Sequence, residues 1–262
     1  MKVALISFNP VWENKESSKL KASELFQLAA PEQIDWIIFP EMTLTGFSTD
    51  TLKCVEEFDN SESIRFFAKC ATKYGVYVSF GIALRKEGKT TNNLVTVSPK
   101  GELLANYAKI HPFSHAKEDE HYAGGDALVS ANICDVPVGM SICYDLRFPE
   151  MFQPLSAQSK IIINIANWPS SRISHWNVFL QARAIENQVF FIGVNRTGVD
   201  GNEISYQKSS AVFSPKGIKI EGLEVSPDVD VFELNVANVD EYRKAFPVKR
   251  DRKPELYFSI LQ

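Results

Sequence analysis

The chain opens on a mostly apolar run over residues 2–8, which predicts a buried strand. After a polar stretch, residues 19–30 carry Leu20, Leu25, Phe26, Leu28 and Ala29 on one stripe at helical spacing. Residues 34–39 form a second apolar strand, which Pro40 ends because proline has no N–H for a ladder. Ser61 and Glu62 open a helix bearing Phe66, Phe67 and Ala71, and Gly75 closes it. Residues 76–84 and 94–98 predict strands, and the turn Pro99-Lys100-Gly101 leads into another through Tyr107. Residues 109–126 are polar and irregular. Loops of that length are uncommon in compact domains and are often functional.

The second half repeats the style. A strand ends at Ile142, residues 145–156 look helical, and residues 161–165 are an apolar strand. Residues 176–187 have helical spacing, 189–194 are again a strand, and 209–213 and 218–220 flank a second turn. That turn, Ser214-Pro215-Lys216-Gly217, repeats Ser98-Pro99-Lys100-Gly101 residue for residue. Such a tetrapeptide is good turn chemistry anywhere, so the match alone could be coincidence. Because the surrounding element order agrees, it predicts two related αβ halves, each ending in a hairpin, packed sheet on sheet. No linker-like run of Gly, Ser or Pro divides them, so residues 1–262 are expected to form one domain. The tail, residues 248–262, ends on Leu256, Tyr257, Phe258 and Ile260, apolar where tails normally fray. It is expected to pack on its own sheet or across a dimer interface.

Composition narrows the class rather than the function. With 262 residues, 45% hydrophobic and 23% charged, the chain is long enough to bury a core without staples. A net charge of −4 with scattered Lys and Arg, and no basic run, gives no footprint for nucleic acid or a membrane surface. The first apolar run is too short for a signal segment, and the longest apolar stretch is broken by Asn164. The four cysteines, Cys54, Cys70, Cys134 and Cys143, include no C-x-x-C pair, which predicts reduced thiols in a cytoplasm.

Three apolar strands run into a polar residue at the C-terminal end, where open α/β architectures place ligands. Cys143 lies between a strand and an expected helix, an elbow that exposes the side chain and whose helix N-terminus should favour thiolate. Most cysteines are small buried hydrophobes, so this reading does not stand alone. Glu41 follows Phe39-Pro40 beside Met42, Leu44 and Phe47, and apolar surroundings should raise its pKa toward that of a useful base. Lys109, beyond the strand through Tyr107, could bring a cation to an oxyanion, although a lone lysine is normally a surface residue.

Together these blocks resemble the nitrilase superfamily of carbon–nitrogen hydrolases. The resemblance is carried by Phe39-Pro40-Glu41, by Tyr107-Ala108-Lys109-Ile110-His111, and by Ser141-Ile142-Cys143-Tyr144-Asp145-Leu146-Arg147-Phe148-Pro149-Glu150. It continues through Ala182-Arg183-Ala184-Ile185-Glu186-Asn187-Gln188 and covers most of the chain. It implies an α/β fold, a four-layer α-β-β-α sandwich that assembles through its helical faces into homodimers. It implies Glu41, Lys109 and Cys143 as catalytic residues and a second glutamate after the lysine. Glu118 fits that place best by spacing, with Glu120 the neighbour to be distinguished.

The mechanism so implied uses no metal or cofactor: Cys143 attacks a small amide, Glu41 shuttles the proton, and Lys109 with the Tyr144 N–H meets the oxyanion. Ile165-Ala166-Asn167-Trp168-Pro169 and His175-Trp176 resemble the bacterial omega-amidase branch, which implies 2-oxo acid monoamides such as 2-oxoglutaramate and 2-oxosuccinamate. Other amides, nitriles and N-carbamoyl amines are the alternatives, as is a scaffold without catalysis. A distal carboxylate needs a cation, for which Arg172, Arg147 and Arg196 are candidates. Arg147 could instead be tied to Glu150, and Trp168 could shape the pocket wall or simply be core. His111, His115 and His121 lack a recognised metal-ligand spacing, and His111 is expected to stack or hydrogen-bond near the site.

Overall fold

The computed structural model describes residues 1–260. Along the chain its strands are β1 (Lys2–Ile6), β2 (Trp36–Ile38), β3 (Glu56–Glu57), β4 (Tyr77–Lys86), β5 (Lys89–Val97), β6 (Leu103–Ala108), β7 (Ser130–Ile133) and β8 (Val136–Ile142). They continue as β9 (Ile161–Ala166), β10 (Phe190–Asn195), β11 (Gly198–Val199), β12 (Ser205–Tyr206), β13 (Ala211–Phe213), β14 (Lys219–Ile220), β15 (Leu223–Ser226) and β16 (Val229–Glu233). The helices are α1 (Lys15–Ala29), α2 (Thr51–Cys54), α3 (Glu62–Tyr74), α4 (Pro149–Ala157), α5 (Ile173–Asn187), α6 (Ala237–Ala245) and α7 (Pro254–Ile260).

One sheet runs β15-β16-β1-β2-β4-β5-β6, with β3 beside β4, and the other runs β14-β13-β10-β9-β8-β7. Read from the other edge, the second repeats the plan of the first. β1, β2 and β4 are mutually parallel and continue into antiparallel β5 and β6. Likewise β8, β9 and β10 are parallel and continue into antiparallel β13 and β14. An antiparallel strand borders each trio, β16 beside β1 and β7 beside β8. The repeated tetrapeptide joins β5 to β6 and β13 to β14, and in each copy the glycine N–H returns to the serine carbonyl at 2.8 Å. The duplicated turn thus marks a duplicated αβ unit.

Parallel strands covered on both faces should be apolar throughout, and these are. Val3, Leu5, Trp36 and Ile38 face the second sheet, in one cluster with Met140, Ile142, Ile163 and Ile165. The alternate residues Ala4, Ile6, Ile37 and Phe39 meet Phe26, Phe67 and Ala71 of α1 and α3. On the far side Phe152, Leu155, Trp176 and Leu180 of α4 and α5 complete the fourth layer. No helix among the described residues is long and apolar enough to cross a membrane.

Several elements differ from the sequence reading. The helix expected over 145–156 is a 3-10 turn, Cys143–Arg147, followed by α4, because Pro149 cannot continue a ladder but suits a first helical turn. β15 and β16 were not anticipated; they return the chain to β1 and complete the first sheet's edge. In the tail, expected to pack on the sheet or across a dimer interface, Leu256 and Tyr257 on α7 are 49% and 43% exposed, so about half of each is covered. The Phe258 and Ile260 side chains and residues 261–262, which shared that expectation, lie outside the described residues.

Candidate active site

Glu41 stands three residues beyond β2, at a bend where Met42 takes φ +45°. The bend lies against β4 at Gly81, where a Cβ would sit 2.3 Å from the Met42 nitrogen, so only glycine admits so close an approach. The peptide is held there by Gly81 N–H to the Pro40 carbonyl at 3.2 Å and Thr43 N–H to the Gly81 carbonyl at 2.9 Å. Lys109 follows β6, its backbone N–H bonded to the Asn92 carbonyl of β5 at 2.8 Å. Cys143 follows β8 with φ +46°, an uncommon conformation for a residue with a Cβ, and it opens the 3-10 turn.

Asp145 fastens the last two segments together. Its carboxylate accepts the Tyr107 hydroxyl at 2.7 Å and the His111 N–H at 3.0 Å from the lysine side, and the Ile142 N–H at 2.9 Å from the cysteine side. The His111 ring also meets Asp145 at 2.8 Å through Nδ1 and stacks on Phe148 with centroids 3.8 Å apart.

The three strand ends converge. Lys109 Nζ donates to Glu41 Oε1 at 2.9 Å and to Glu118 Oε2 at 2.8 Å, and all three side chains are buried. Glu118 also accepts the Phe113 N–H at 2.6 Å, whereas the Glu120 side chain is 59% exposed. Of the two acids, Glu118 is the one that meets Lys109. Glu41 Oε2 accepts the Asn167 backbone N–H at 2.8 Å, and the Asn167 amide donates to the Glu41 carbonyl at 2.8 Å. Asn92 donates to both carboxylates, at 2.8 Å and 2.9 Å.

Lys109, Cys143 and Asn167 open together into a cavity walled by Tyr144, Trp168 and Phe113. Trp168 is both core and wall: it is buried, and its indole N–H donates to the Arg172 carbonyl at 2.8 Å. Arg147 and Arg172 also line this cavity. The Arg147 guanidinium lies 4.9 Å from the Trp168 ring centroid and meets His175 rather than Glu150, while Arg172 lies 5.6 Å from the Phe113 centroid. Neither is paired with a carboxylate among the described residues. Arg196 is instead 1% exposed behind Tyr206, outside the cavity lining, and so leaves the candidates for a distal carboxylate.

The electrostatics correct two expectations. Burial alone would push the Glu41 carboxyl up, but the Lys109 ammonium and the hydrogen bonds from Lys109, Asn167 and Asn92 outweigh it and hold it below the usual range. Burial likewise opposes the Lys109 charge, yet Glu118 and Glu41 keep it well above its ordinary value. The Cys143 thiol is pushed well up, first by burial and then by the Glu41 charge, against the smaller pull of Lys109. A five-residue 3-10 turn does not offset that, so the resting site holds a neutral thiol beside an ionised glutamate.

Asn92, Asn167, Phe113 and Tyr206 were not singled out from sequence. Asn167 did carry a signal, since it follows β9 as Cys143 follows β8.

The carbon–nitrogen hydrolase family profile matches residues 2–244. The chain belongs to that family. Proteins similar to it include the hydrolase in the agr operon of Staphylococcus aureus, 32% identical over 98% of this chain and 100% of that one. The omega-amidase YafV of Escherichia coli K12 is 33% identical over 83% of this chain and 84% of its own, and the 2-oxoglutaramate amidase of Bacillus subtilis 29% over 93% and 94%. A CN-hydrolase superfamily protein of Xanthomonas campestris, solved with an arsenic adduct in its active site, superposes with a TM-score of 0.89 at 29% identity, covering 97% of both chains. The protein is an enzyme of this family, with the family's α/β sandwich.

Proposed function

We propose that the protein hydrolyses the terminal amide of 2-oxo acid monoamides, such as 2-oxoglutaramate or 2-oxosuccinamate, to the acid and ammonia, with Cys143 as nucleophile. The observation that carries this reading is the donor count at Lys109. An ammonium has three N–H bonds, and two are spent on Glu41 and Glu118. The third remains for a substrate oxygen in the cavity that Cys143 lines.

Ionised Glu41 takes the Cys143 proton as sulfur bonds to the amide carbon and the carbonyl π pair moves to oxygen. The oxyanion meets the free Lys109 N–H and the backbone N–H of Tyr144, which, early in its 3-10 turn, has no acceptor within the turn. One such donor is typically worth about 3 kcal/mol. As the C–N bond breaks, Glu41 returns the proton to nitrogen and ammonia leaves a thioester. Water then attacks, giving its proton to Glu41, and collapse of that intermediate returns the proton to sulfur as the acid departs. A high thiol pKa suits this order, because the proton leaves only as the C–S bond forms.

The unpaired Arg147 and Arg172 favour a substrate bearing a carboxylate away from the scissile amide. Relatives named omega-amidase and 2-oxoglutaramate amidase support the same class. The test is ammonia release across 2-oxo acid monoamides, neutral amides, N-carbamoyl amines and nitriles. Turnover of a nitrile or carbamoyl amine in preference to every monoamide overturns the substrate, and full activity of Cys143→Ala overturns the mechanism. The four cysteines, none of them bonded to another, support a cytoplasmic setting.

A further inference from the structure

Asn92 is a buried side chain on β5 that takes no part in these proton transfers. Its backbone carbonyl holds the Lys109 N–H, while its side-chain amide reaches Glu41 Oε1 at 2.8 Å and Glu118 Oε1 at 2.9 Å. Both hydrogens of the NH₂ are thereby used. The orientation is forced, because the flipped amide would turn its oxygen toward two carboxylates. That oxygen, though buried, has no hydrogen-bond partner. An unmatched buried acceptor is destabilising, and a leucine of similar shape would avoid it. Packing alone therefore gives no reason for an amide at this position.

Lys109 and Asn92 close a ring: Glu41 and Glu118 are joined once through an ammonium and once through a neutral amide. When an oxyanion draws on the ammonium, the charged link between the two carboxylates weakens and their repulsion grows. We propose that Asn92 is a positioning residue whose amide holds the Glu41 and Glu118 carboxylates together while Lys109 turns toward the oxyanion. The inference rests on the amidase reading of the site. The titratable groups facing the two carboxylates are Lys109, Cys143 and, beside Glu118, Tyr122.

Three variants test this, Asn92→Leu, Asn92→Ser and Asn92→Asp. They are followed by the pH dependence of kcat/KM and by the pH dependence of iodoacetamide labelling of the Cys143 peptide, read by mass spectrometry. Without the shared donor, Glu41 should hold a proton to higher pH. Asn92→Leu is expected to lower kcat about tenfold or more, with little change in KM, and to move the acid limb of both profiles upward by about one pH unit. Asn92→Ser, with one hydroxyl donor for two acceptors, falls between. Asn92→Asp should be poorest at neutral pH and recover as acid makes its carboxyl a donor, opposite in direction to the wild type. Unchanged acid limbs and kcat overturn the proposal, and so does a lowered melting temperature with unchanged limbs. If Asn92→Leu does not fold, the Ser and Asp profiles decide. Should the wild type release ammonia from no amide, the functional reading fails, but the labelling profiles still judge Asn92.

Discussion

Ser7 follows β1 as Cys143 follows β8, at the same step of two sheets built to one plan. Ser7 is sealed in, its hydroxyl 3.0 Å from that of Ser210. Cys143 is turned by its positive φ into the cavity shared with Lys109 and Asn167. The second strands differ as well. β2 leads through Phe39-Pro40 to a carboxylate, whereas β9 leads directly to an amide, and the two ends meet where Asn167 donates to Glu41 at 2.8 Å. The first half thus supplies Glu41, Lys109 and Glu118 with the bracing Asn92, and the second supplies the thiol, the Asn167 donors and the rim arginines. Duplication made two sets of strand ends, and the reaction needs one of each kind facing across the sandwich.

The comparison breaks most sharply at the nucleophile. Cys143→Ala is expected to lower ammonia release by at least about 10⁴-fold with an unchanged melting temperature. Adding Ser7→Cys to that variant should restore nothing, since the Ser7 side chain meets the Ser210 hydroxyl and lies outside the cavity that Lys109 lines. Recovered turnover would show that the halves are chemically interchangeable.

Next in size are the charges of the first half. Glu41→Gln should lower kcat about 10²–10⁴-fold by removing the proton carrier. Lys109→Met strands two buried carboxylates, so its urea midpoint should report a loss of about 3–5 kcal/mol. Glu118→Gln keeps one ion pair and should lose less; an equal loss would deny Lys109 its central place.

The same charges set a pH dependence. Glu41 is depressed on folding, so its contribution to stability is fully present above the unfolded value of about 4.3 and is lost as pH falls through the lower folded value. The stability difference between wild type and Glu41→Gln, followed by urea unfolding, should shrink in that acid window and be flat above it. A difference that instead grows in acid would mean that burial, not Lys109, sets the carboxyl.

The smallest effect on chemistry is expected at the second half's rim. Arg147→Ala or Arg172→Ala should raise KM for 2-oxo acid monoamides about tenfold, as for a lost charge-assisted hydrogen bond, and leave neutral amides unaffected. Equal losses on both substrates would assign these arginines to packing. On the outer face Val178 and Ile185 of α5 are exposed, and a homodimer through that face predicts that Val178→Asp yields monomers in sedimentation while kcat is nearly kept.

Legibility tracked how local the physics was. α3 was readable end to end, because Ser61 caps it through the Ile64 N–H and Gly75 ends it with φ +66°. Glu41, Lys109 and Cys143 were readable because each closes an apolar strand within an informative block. Glu118 against Glu120 was not, since two acidic residues in one loop look alike until one of them meets an ammonium. Asn92 gave only the faint signal of a polar pair inside a strand, and its partners lie 51 and 26 residues away.

By itself the sequence determined the central apolar strands, the duplicated turn, the family and the three strand-end residues, because periodicity, turn chemistry and motifs are written within a few neighbouring positions. Only the tertiary structure decided the protonation of the site. The acidic Glu41, the strongly basic Lys109 and the reluctant Cys143 owe their states to burial and to one another. It also decided which arginines reach the cavity and which asparagines brace the carboxylates. Those properties depend on distances between residues far apart in the chain, and a Coulomb or hydrogen-bond energy has no value until the fold sets the distance.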